Sequence, residues 1–82
     1  SWDSMIWANI APGDIVIVDK SKKHKNGDII IARVDGEYTM KYIIKEWWQV
    51  YLRAANENYP DIFPWDELEV NWVVTWVIRK IC

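Results

Sequence analysis

Asp35-Gly36 stands between two runs rich in β-branched and aromatic residues, Ile29-Ile30-Ile31-Ala32-Arg33-Val34 before it and Glu37-Tyr38-Thr39-Met40-Lys41-Tyr42-Ile43-Ile44 after it. Aspartate and glycine both tolerate the positive φ of a type I′ turn, whose twist matches that of paired strands. The two runs are therefore predicted to pair as a tight antiparallel hairpin over residues 28–34 and 37–44.

The rest of the chain reads in the same way. Pro12-Gly13-Asp14 is a turn signal, and Ile15-Val16-Ile17-Val18 behind it predicts a strand over 14–19. Further strands are expected at 49–54, 68–70 and 72–81, with Lys45-Glu46-Trp47-Trp48 turning the chain between the hairpin and the fourth strand. Residues 55–64 carry two prolines and two asparagines and read as irregular. A helical turn is expected only around 4–9. The predicted class is mainly β, with short antiparallel strands curling into a distorted barrel. Along the last strand Trp72, Val74, Trp76 and Ile78 alternate onto one face, and Val73, Thr75, Val77 and Arg79 onto the other.

With 82 residues the chain makes one domain over 1–82, near the lower limit for a self-sufficient core. The formal charge of −2 gives no global footprint for nucleic acid. No apolar run approaches the ~18 residues of a membrane span, and no signal-peptide pattern opens the chain. The single cysteine, Cys82, excludes an internal disulfide and a cysteine-based zinc site, and is expected as a free thiol in a reducing cytoplasm. Tryptophan is the anomaly: seven against one phenylalanine. So many indoles are hard to bury in a small domain, because each needs a large space and a partner for its N–H.

Ser4, in the polar turn Asp3-Ser4-Met5, and Lys41, inside the hairpin's second strand, form the chain's one plausible catalytic pair. A serine needs a base to attack a carbonyl, and a desolvated lysine can be that base. The ordinary lysine pKa is about 10.4, so the amine must be held neutral by burial or a nearby cation. Thr39 shares Lys41's face and is placed to hydrogen-bond the amine. The backbone N–H groups of Ser4 and Met5 are candidates for holding an oxyanion. Taken alone, Ser4 also reads as a turn cap and Lys41 as a solvent-facing lysine. Lys20 to Lys25 holds four of the ten basic residues and the single histidine, and reads as a solvated loop. His24 has no second histidine for a metal. No phosphate loop, metal motif or dinucleotide fingerprint is present, so neither cofactor nor metal is expected.

Together these residues resemble the C-terminal serine–lysine peptidase domain of the LexA and UmuD family, which includes SOS-response and lambda-type phage repressors. The matching words are Asp3-Ser4-Met5, Gly13-Asp14-Ile15-Val16-Ile17-Val18-Asp19, Gly27-Asp28-Ile29-Ile30, Asp35-Gly36-Glu37-Tyr38-Thr39-Met40-Lys41, Tyr51-Leu52-Arg53-Ala54-Ala55-Asn56, Tyr59-Pro60 and Val73-Val74-Thr75-Trp76-Val77-Ile78-Arg79-Lys80. The resemblance implies Ser4 as nucleophile, Lys41 as general base and then acid, and Thr39 as support for the lysine. It implies cleavage of an Ala-Gly bond in the regulator's own chain, stimulated by a RecA filament. It also implies a homodimer formed near the C-terminal strand, for which Trp72, Val74, Trp76 and Ile78 are the candidate contacts. No direct nucleic-acid contact and no membrane association are expected of this domain.

Three departures accompany the resemblance. The chain begins three residues before Ser4 and contains no Ala-Gly dipeptide, so a truncated fragment acting only in trans is expected. No DNA-binding domain is present. Trp2, Trp7, Trp47, Trp48, Trp72 and Trp76, and with them Trp65, stand where family members commonly carry glycine or another small residue. That pattern points to engineering or an altered sequence rather than drift, and leaves an inert dimerising or partner-binding scaffold as the alternative reading.

Overall fold

The computed structural model describes Met5, residues 10–63 and residues 71–79. Five strands make one antiparallel sheet: β1 (Ile15–Asp19), β2 (Ile29–Val34), β3 (Glu37–Glu46), β4 (Gln49–Arg53) and β5 (Asn71–Ile78). Their order across the sheet is β1-β5-β2-β3-β4, so the last strand is inserted between the first two. The mainly β class read from the sequence is the observed one. The expected strand at 68–70 and most of the turn at 4–9 lie outside the described residues.

The hairpin forms as the turn chemistry requires. Asp35 has φ 51° and Gly36 φ 81°, the doubly positive pair of a type I′ turn. From it β2 and β3 pair in register from Val34↔Glu37 to Ile29↔Tyr42. The β3 strand runs two residues beyond the expected Ile44, because Lys45 and Glu46 pair with Val50 and Gln49 of β4. Trp47-Trp48 alone is thus the loop of a second hairpin.

Alternation along β2 and β3 produces two apolar clusters. Ile30, Ala32, Ile43, Leu52 and Val73 make one; Met5, Ile10, Met40 and Ala55 make the other, with Ile29, Ile31, Tyr42, Val16 and Val74 packed against it. Fully burying an aliphatic side chain stabilises by about 1.5–3 kcal/mol, so each of these buried aliphatic residues contributes to cohesion on that scale. Residues 55–62 lead back to β4, where Leu52 and Ile62 exchange two backbone hydrogen bonds of 2.9 and 2.8 Å. Arg53 clamps the same return through Asp61, at 3.1 and 3.0 Å.

The last strand departs from simple alternation. Its pairing with β1 skips Thr75: Val18 faces Val74, whereas Ile17 faces Trp76. This bulge reverses the alternation beyond it. Trp72 and Val74 stay on the face of the Met40 cluster, while Trp76 and Ile78 move to the opposite face, beside Ile17 and Ile15. The four candidate contacts therefore do not share one face.

Candidate active site

Lys41 is the one charged residue buried among the described residues, 4% exposed. Its place follows from register. Lys41 pairs with Ile30, which pairs in turn with Val73 of β5, so the amine's stem crosses the apolar face of Ile30, Ile43 and Val73. Desolvation there lowers its pKa from the ordinary lysine value. The Nζ donates to Thr39 Oγ1 at 2.8 Å and to the Met40 carbonyl at 3.3 Å. Thr39 therefore makes the hydrogen bond that its shared face with Lys41 suggested.

Lys41 and Thr39 open into a cleft of about 510 Å³ at the Asp35-Gly36 end of the sheet. Val34 and Tyr38 from the hairpin form one wall, and Tyr59, Pro60 and Ile62 from the returning segment form the other. Asp35 and Glu37 give its rim an acidic edge. Sequence reasoning assigned this second wall no role. Its one signal was the Tyr59-Pro60 break in an otherwise polar stretch, and nothing local shows that the Leu52–Ile62 bridge folds it over the lysine.

Ser4 lies outside the described residues, as do Trp2, Trp7 and Trp65. Its sequence neighbour Met5 is fully buried and shares an apolar cluster with Met40, the neighbour of Lys41. Ile10 N donates to the Met5 carbonyl at 3.4 Å, which ties this point to the segment that leads into β1. Chemically the described part offers a buried primary amine, a hydroxyl that accepts its hydrogen bond, and an open cleft beside them. Among the described residues no cluster of histidine, cysteine or carboxylate side chains could hold a metal.

The basic loop stays away from this cleft. Lys45 N donates to Asn26 Oδ1 at 2.7 Å and Lys45 Nζ to the His24 carbonyl at 3.2 Å, which dock the loop at the other end of β3. Lys20 turns back over the ring of Trp72, 4.4 Å from its centroid. Among the described residues no helix is long and apolar enough to cross a membrane.

The Peptidase S24-like family model matches residues 2–76. Among curated proteins the chain is similar to SamA of Salmonella typhimurium, 40% identical over 79 residues, covering 95% of this chain and 54% of that protein. It is similar to the LexA repressor of Mycolicibacterium smegmatis, 43% identical over 79 residues, covering 96% of this chain and 32% of that one. The LexA repressor of Verrucomicrobium spinosum is 39% identical over 77 residues, covering 94% and 38% respectively. The chain thus spans between about a third and a half of the length of these relatives.

Proposed function

Because the chain belongs to the Peptidase S24-like family, we propose that it is the serine–lysine peptidase domain of a LexA-like regulator. The observation that carries this reading is the buried amine of Lys41, hydrogen-bonded to Thr39 at a cleft of about 510 Å³. In the proposed reaction neutral Lys41 takes the proton of Ser4 Oγ as the oxygen attacks the scissile carbonyl. Backbone N–H groups of Ser4 and Met5 hold the oxyanion. Collapse of the adduct breaks the C–N bond, and Lys41 returns the proton to the leaving amine. Water then hydrolyses the acyl ester, with Lys41 again as base.

The expected substrate is an extended segment around an Ala-Gly bond, a dipeptide that these 82 residues do not contain. In the whole regulator the same reading extends to stimulation by a RecA filament. The test is cleavage of a peptide spanning Ala-Gly, followed against pH. The rate should rise with pH as Lys41 loses its proton, and Lys41→Ala should slow it by about 10²–10⁴-fold, the usual worth of a general base. A rate unchanged in Lys41→Ala would remove the lysine from the mechanism.

The exposed apolar side chains of β1 and β5 favour a second reading beside the first: a domain that pairs with a second copy of itself. Ile15, Ile17, Trp76 and Ile78 are all exposed and neighbours across one strand pair. Such a patch is what an interface core uses.

A further inference from the structure

From the described positions 47, 48 and 76 we infer that the chain made in its own cells carries glycine where this sequence has tryptophan. The tryptophans would then be the reading of a codon that its translation machinery assigns to glycine. The composition raises the question: seven tryptophans stand against three glycines, whereas average usage puts glycine at about 7% of residues.

Trp47-Trp48 is a two-residue hairpin loop closed by the pair Glu46↔Gln49. Such loops most commonly take positive φ at one or both central residues, which matches the strand twist, and Gly-Gly is among the pairs that provide it. The equivalent loop on the other side of β3, Asp35-Gly36, adopts that geometry. Neither indole residue does, Asp35 being the one described non-glycine with positive φ. Trp47 is instead 92% exposed and Trp48 59%, leaning on each other edge to face at 5.2 Å.

Trp76 tells the same story at the other point where the sheet is irregular. It is the residue at which β5 resumes pairing after its bulge, next to a feature that a strand glycine often marks, and it is 71% exposed. Trp72 is better accommodated, half-buried against Tyr38 and Lys20, yet it too belongs to neither buried cluster. Tryptophan normally dominates a small core; here no described one contributes to it. Glycine at 47, 48 and 76 would leave both clusters intact. One event explains all seven positions where independent substitutions would need seven: UGA is read as stop, tryptophan or glycine, depending on the genetic code in use.

The inference concerns what the chain is made of and stands apart from the peptidase reading. Trypsin places all seven positions in three peptides, residues 1–20, 46–53 and 54–79. Tandem mass spectrometry of the chain isolated from its source cells should find glycine at 2, 7, 47, 48, 65, 72 and 76, and the gene should carry UGA at each. Tryptophan in the 46–53 peptide, or UGG codons at 47 and 48, would overturn it. A second measurement reads the backbone argument directly. A chain with Trp47→Gly, Trp48→Gly and Trp76→Gly should unfold at a higher urea concentration than the tryptophan chain. A lower midpoint with the same m-value would show that the indoles belong to the fold.

Discussion

At Lys41 the cost of the catalytic reading is visible as a pH effect on stability. Burial lowers its pKa in the folded state, whereas the unfolded chain keeps the ordinary value of about 10.4. Between the two values the unfolded chain binds the proton that the folded chain refuses, so stability rises with pH through that window. At neutral pH the amine therefore weakens the fold. Lys41→Met, which fills the same space without a charge, should raise the urea midpoint at pH 7, and the gain should shrink as pH approaches about 10. Equal gains at both pH values would mean that packing, not ionisation, separates the two side chains. Much of this residue was legible in advance: alternation placed Thr39 beside it, and the bond is there. What alternation lacks is any statement of which face is covered. That depended on Val73 and on the return of Ile62, both remote in sequence.

Elements that are far apart in the chain are joined here by one ion pair. Arg79, just after β5, donates from Nε and a terminal nitrogen to both oxygens of Asp14, at 2.9 and 2.8 Å. Asp14 also accepts from Ala11 N at 2.9 Å, which closes the turn that launches β1. The guanidinium first, and then that backbone N–H, hold the Asp14 pKa down at about 2. A carboxylate with a depressed folded pKa contributes stability above its unfolded pKa of about 3.9, and loses it as pH falls through the folded value. Asp14→Asn should therefore flatten the fall in urea midpoint between about pH 4 and pH 2. An acid limb as steep as that of the parent chain would show the pair to be without thermodynamic weight. The first hairpin allows a plainer test. Gly36→Ala places a Cβ at φ 81° and should cost about 1 kcal/mol or more, read from the urea midpoint. Strand positions in this region followed from local sequence because turn chemistry is local. The bulge at Thr75 was invisible, since an extra residue in one strand is specified by its partner and not by its own alternation.

For the whole molecule, if the domain pairs with a second copy, that bulge decides which surface is left for it. A straight β5 would have presented Trp72, Val74, Trp76 and Ile78 together; instead Val74 packs inward with Met40, and Trp72 lies under Lys20. The face left bare joins Trp76 and Ile78 to Ile15 and Ile17, and among the described residues β1 beside it is a sheet edge. An exposed apolar edge strand is a liability unless something covers it. A second copy would bury four large side chains and could extend the sheet at the same time. If this is the dimer surface, Ile17→Lys should shift sedimentation from dimer to monomer, because the new charge sits at the centre of the patch. Trp72→Ala should leave the dimer intact, its ring being turned to the other face. With glycine at 76 the patch keeps its three isoleucines, so the dimer should persist in that chain. Loss of the dimer on Trp72→Ala but not on Ile17→Lys would place the contact on the Met40 side and reject the bulge-sorted surface.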